Sequence, residues 1–107
     1  MSYDIYLQIN TGKGERTVVE IGNYTSNIAP MYYKAFDKDW KFINGMRAGD
    51  AFDHILQAYK NMIGNPEEYR ELNPSNGWGD YEGARDFLRK LLEECGENPE
   101  CKIYISH

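Results

Sequence analysis

Residues Tyr3 to Ile9 alternate without a fault: Tyr3, Ile5, Leu7 and Ile9 point one way, and Asp4, Tyr6 and Gln8 the other. Strict period-two alternation marks a strand with one buried face and one face turned to water. Such a strand needs partners at its sides and a second layer over its apolar face. The first partner follows at once. Thr11-Gly12-Lys13-Gly14-Glu15 reads as a turn, and Arg16 to Gly22 as a second strand with Val19 and Ile21 inward. Gly12 and Gly14 alone do not make a phosphate-binding loop, because the fingerprint is incomplete and a strand follows where a helix is required.

The covering layer comes from helical stripes. A first helix is expected from near Asn27, with Asn27 as its cap, Pro30 in the first turn, and Ile28, Met31, Tyr32 and Ala35 on one face. Asp37 to Gly45 reads as a loop whose Trp40 and Phe42 fold back onto the core. A second helix is expected from Ala48 to Ile63, with a stripe of Ala48, Ala51, Phe52, Ile55, Tyr59, Met62 and Ile63, and with Gly64 as its stop. Asn65-Pro66-Glu67-Glu68 has the form of a capping box opening a short helix that ends at Asn73-Pro74. Asp80 caps the last long helix, with Tyr81, Ala84, Phe87, Leu88, Leu91, Leu92 and Cys95 inward and Gly96 at its end. Lys102 to Ser106 completes the chain as a strand with Ile103 and Ile105 inward, expected beside the first. The order strand, strand, helix, helix, short helix, helix, strand predicts one α+β domain over 1–107. It has a small antiparallel sheet of about three strands with helices packed on one face.

Charge narrows the partners. Twelve Lys and Arg face seventeen Asp and Glu, a net charge of −5, so the chain lacks the basic surface that nucleic-acid binding requires. No apolar run is long enough for a transmembrane helix, so no membrane partner is expected. The start Met1-Ser2-Tyr3-Asp4 lacks the features of a secretory signal, which predicts a cytoplasmic location. Cys95 and Cys101 are then expected as reduced thiols, since two sulfurs do not complete a zinc site.

Catalytic arrangements are sparse. There are two histidines, His54 in a helix and His107 at the end. Asp50 and His54 form an i, i+4 pair of the kind helices produce on their surfaces. Glu67-Glu68 and Glu93-Glu94 are adjacent and diverge, and Asp37, Asp39 and Glu71 lack metal-loop spacing. No acid–base pair, metal or cofactor is called for, and the expectation is a protein without enzymatic activity.

Two segments hold more polar and aromatic side chains than turns need: Asn23-Tyr24-Thr25-Ser26-Asn27 and Asn76-Gly77-Trp78-Gly79-Asp80-Tyr81. Both lead into helix N-termini, where unpaired N–H groups favour anions and acceptors. Tyr24, Trp78 and Tyr81 offer rings for stacking, Asn23, Thr25, Asn27 and Asp80 offer hydrogen bonds, and Arg85, one turn after Tyr81, offers a cation. If the segments meet, these eight residues form a pocket for a small anionic or nucleotide-like ligand.

Several motifs also carry a resemblance. Ser2-Tyr3-Asp4-Ile5-Tyr6, Gly22-Asn23-Tyr24-Thr25-Ser26-Asn27 followed by Ala29-Pro30-Met31, the run Asn76-Gly77-Trp78-Gly79-Asp80-Tyr81-Glu82-Gly83-Ala84, and the closing Ser106-His107 are similar to a set of small proteins from bacteriophages and bacterial genomes. That set has no established activity. The resemblance implies a phage or bacterial cytoplasmic setting, the host cytoplasm if phage-encoded, and by analogy a binder acting on a host signal. The alternative is an acidic, tyrosine-rich interaction module that covers and inhibits a host protein; nine of the residues are tyrosine. An open strand edge also admits a homo-oligomer.

Overall fold

The computed structural model describes residues 2–106; Met1 and His107, including the terminal histidine noted above, lie outside the described residues. β1 (Ser2–Asn10) and β2 (Glu15–Thr25) form the antiparallel hairpin, and β3 (Lys102–Ser106) pairs antiparallel on the other side of β1. The sheet order is β2-β1-β3. Helices α1 (Ala29–Phe36), α2 (Ala48–Gly64), α3 (Pro66–Arg70) and α4 (Tyr81–Glu97) follow in the predicted order, and the fold is the expected α+β class.

Alternation governs the sheet as expected. Tyr3, Ile5, Leu7, Ile103 and Ile105 are buried, while Asp4, Tyr6 and Gln8 are half-buried on the face the helices leave uncovered. Ile9 differs from expectation: it points to the apolar side yet is exposed, because β3 pairs only as far as Gln8 and Ile9 meets Arg16 on β2. β2 carries two extra residues relative to β1. Ile5 pairs with Gly22 and Tyr6 with Glu20, leaving Ile21 between; Leu7 pairs with Val19 and Gln8 with Thr17, leaving Val18 between. These bulges bend the strand. Ile21 enters the core whereas Val18 is exposed.

The helices bury the stripes that their spacing implies. Met31, Tyr32 and Ala35 of α1 join Ala48, Ala51, Ile55 and Met62 of α2 and Tyr81, Ala84, Leu88, Leu91 and Cys95 of α4 in one core. Burying each large apolar side chain contributes about 1.5–3 kcal/mol, which is why the stripes rather than the loops set the layer. Ala58 belongs to the α2 stripe, and Ile63, expected inside, is exposed at the last turn. The 37–45 segment contains a 3-10 turn, Trp40–Ile43, capped by the Asp39 carboxylate accepting from Lys41 N–H at 3.0 Å.

Some terminal signals act differently from expectation. Asn65 does not close a capping box; its side-chain amide donates back to the Asn61 carbonyl at 3.1 Å, ending α2 instead of opening α3. Gly64 and Gly96 lie inside the last turns of α2 and α4, and the helices stop at Asn65 and Asn98. β3 is sealed on its outer side by backbone: Gly45 N–H donates to Ile103 O at 2.8 Å and Ile103 N–H to Met46 O at 2.9 Å.

Candidate functional site

The first polar segment is not a loop. β2 continues through it to Thr25, with Asn23 opposite Asp4, Tyr24 opposite Tyr3 and Thr25 opposite Ser2. The strand persists because Gly22, at φ 133°, absorbs the bend at a conformation that a side chain disfavours. Pairing then fixes the directions. Asn23 donates through Nδ2 to Ser2 Oγ at 2.8 Å and Asp4 Oδ1 at 2.9 Å. Thr25, not Asn27, caps the 3-10 turn Ser26–Ile28 that leads into α1: its Oγ1 accepts from Asn27 N–H at 3.3 Å and from Asn27 Nδ2 at 2.9 Å.

The second segment comes up against this strand end. The Tyr24 ring stacks on Phe87 of α4 at 5.7 Å, and its hydroxyl accepts from Asp80 N–H at 3.2 Å. Two glycines permit the approach. A Cβ on Gly79 would sit 2.6 Å from Thr25 Cγ2 and 2.9 Å from Ile28 Cγ2, and one on Gly83 would overlap the Tyr24 hydroxyl. The segments therefore meet at backbone distance, which only glycine allows. Asn76 Oδ1 accepts from Trp78 N–H at 2.9 Å and holds the loop so that the indole stands 67% exposed.

Between them lies a cleft of about 680 Å³, lined by Ser2, Asn23, Tyr24, Thr25, Asn27, Asn76, Trp78 and Gly79. Five of the eight sequence-derived residues line it. Three do not. Tyr81 is 2% exposed and its hydroxyl donates to Met62 O at 2.8 Å inside the core. Asp80 turns its carboxylate to Gly83 N–H at 2.7 Å as the α4 cap. Arg85 pairs with Asp86 at 3.0 Å and lies against the Tyr81 ring. Ser2 lies outside both flagged segments, and Asn76 and Gly79 stand in the second without a role assigned from the sequence. The pairing partner of Thr25 was the signal for Ser2, and the Asn-Gly turn before Trp78 the signal for Asn76.

The electrostatics also depart from expectation. No Lys or Arg lines the cleft among the described residues. Several N–H groups at these helix starts are already taken from within: Thr25 takes Asn27 N–H, Asn73 Oδ1 takes Tyr81 N–H at 2.8 Å, and Asp80 takes Gly83 N–H. What remains is a wall of amides, hydroxyls and an indole. Burial, ahead of the Asp80 charge, raises the Tyr24 phenol above its ordinary range, so it stays neutral.

Elsewhere, a smaller hollow of about 250 Å³ between α1 and α2 holds His54, which meets the Phe42 ring edge-on at 5.1 Å. Cys95 and Cys101 are buried free thiols, and burial pushes Cys95 up to about 12. Among the described residues no cluster of His, Cys, Asp and Glu has the makings of a metal site, and no helix is long and apolar enough to cross a membrane. No protein-family model, curated protein or solved structure matches the chain.

Proposed function

We propose that the cleft binds the planar, hydrogen-bonding part of a small nucleotide-like molecule, its base stacked on Trp78 and its edge read by the amides and hydroxyls opposite. The observation that carries this reading is the pairing of an exposed indole with Asn23, Thr25, Asn27 and Asn76 around a single hollow. Its volume lies within the roughly 300–1,000 Å³ usual for small-molecule sites. Stacking on an aromatic platform contributes about 1–3 kcal/mol per base. The uncharged lining favours the base over the phosphates, so any phosphate group lies in solvent at the mouth. The role is sequestration without chemistry. The resemblance to phage and bacterial proteins supplies the setting, a cytoplasm in which removing a nucleotide signal alters a host response.

Calorimetric titration and thermal-shift measurement against nucleosides, nucleotides and cyclic dinucleotides test this. A ligand at 100 times its dissociation constant adds about 2.7 kcal/mol of stability. Trp78→Ala is expected to weaken binding at least about fivefold, the loss of one stacked base. A panel with no shift, or a hit indifferent to Trp78→Ala and Asn27→Ala, removes the proposal.

A further inference from the structure

We infer that the uncovered face of the sheet docks a basic segment of a partner protein, with an arginine or lysine side chain laid on the Tyr6–Tyr104 pair between Asp4 and Glu20. The helices take one face of the sheet, and alternation sends Asp4, Tyr6 and Gln8 of β1 to the other. Tyr6 and Tyr104 are direct cross-strand partners, their rings 6.1 Å apart and inclined by 27°. They form a flat tile that no other element covers among the described residues, and Tyr104 is 44% exposed.

Carboxylates flank the tile. Glu20 lies directly opposite Tyr6 on β2, and Asp4 lies two residues along β1 on the same face. Asp4 accepts one hydrogen bond, from Asn23, and neither carboxylate has an ion-pair partner among the described residues. Their field reaches the ring: the charge of Asp4, ahead of burial and Glu20, raises the Tyr6 phenol above its ordinary range. Lys102, opposite Gln8 on β3, and Arg47, bridged to Lys102, are cations at the far end of this face, and among the described residues neither pairs with Asp4 or Glu20.

Charge selects the occupant. Unpaired carboxylates beside π-faces attract a guanidinium or ammonium, which gains from both. The same carboxylates repel a nucleic acid, an anionic lipid surface and a second copy of this chain, whose own net charge is −5. The surface adjoins the Trp78 cleft only where the cleft residue Asn23 donates to Asp4; Tyr6, Glu20 and Tyr104 do not line the cleft, so variants at Glu20 and Tyr104 test this reading alone.

The test is two-dimensional NMR of the full, isotope-labelled chain titrated with a hexa-arginine peptide at low salt, with hexa-glutamate as control. Shifts confined to the amides around Asp4, Tyr6, Glu20 and Tyr104 are expected, fading as salt screens the pair. The surface double variant Glu20→Gln, Tyr104→Ala is expected to bind about tenfold more weakly with its spectrum otherwise intact, while Trp78→Ala binds as wild type. The inference falls if hexa-arginine does not bind, or if the double variant binds it equally well. It also falls if the shifts gather on the acidic end of α4 near Glu93 and Glu97, or if the face proves covered by a second copy.

Discussion

Trp40 and Trp78 carry the same indole into opposite surroundings. Trp40 is 1% exposed, held edge-on between Tyr3 at 5.0 Å and Tyr32 at 5.2 Å, and its Nε1–H has no hydrogen-bond partner among the described residues. Leaving a buried donor unpaired costs about 1–3 kcal/mol, yet burying so large a ring outweighs it, so packing decides that position. Trp78 is two-thirds exposed on a loop set by Asn76 and two glycines at positive φ. The core region spends its aromatic surface on stability. The cleft region holds an equal surface out of the core, and that difference makes it the place to look for a ligand.

The contrast breaks most visibly at Trp40. Trp40→Ala is expected to cost about 3–5 kcal/mol in denaturant unfolding, enough to leave much of a small domain unfolded. A loss under about 1 kcal/mol would mean that the aromatic cluster does not organise the core. Gly79→Ala comes next. The methyl must displace Thr25 and Ile28 at a backbone φ of +90°, so about 1–3 kcal/mol of destabilisation is expected, with loss of ligand binding because the two segments are forced apart.

Tyr32→Phe has a smaller effect whose sign depends on pH. The Tyr32 hydroxyl donates to Ala84 O at 2.8 Å, and burial raises its ionisation well above the ordinary 10. Below about pH 10 both folded and unfolded states hold the proton, and the bond contributes about 1 kcal/mol. Above it the unfolded chain loses the proton first, so wild-type stability falls by about 1.4 kcal/mol per pH unit while the variant is spared that term. The two unfolding curves are expected to cross near about pH 11, and parallel alkaline limbs would contradict the buried assignment. Smallest is the stability arm of Trp78→Ala, expected within about 0.5 kcal/mol of wild type. A large loss would show that the loop indole is structural, and the contrast with Trp40 would collapse.

Much of the fold is legible in residue order, because burial of alternating or stripe-spaced side chains is a local pattern with a global consequence. Ile103 and Ile105 announce β3 as plainly as Tyr3, Ile5 and Leu7 announce β1. The bulges at Val18 and Ile21 leave no such mark, since a one-residue shift between paired strands is a property of two segments together. That shift, with Gly22, carries β2 on through residues whose composition reads as loop. The cleft was half legible for a related reason. Polar and aromatic richness flagged both segments, but which way a side chain turns at a helix start depends on what packs beside it. Asn73 and Met62 draw Tyr81 inward, and Asp86 holds Arg85 away.

The sealing of β3 by the Gly45–Met46 backbone limits how copies of this molecule can join. Of the two outermost strands, one has its main-chain groups already committed, and growth by strand addition is left to β2 alone. Two copies meeting there would use up the free margin of both, so such addition terminates at a pair and gives no route to a fibre.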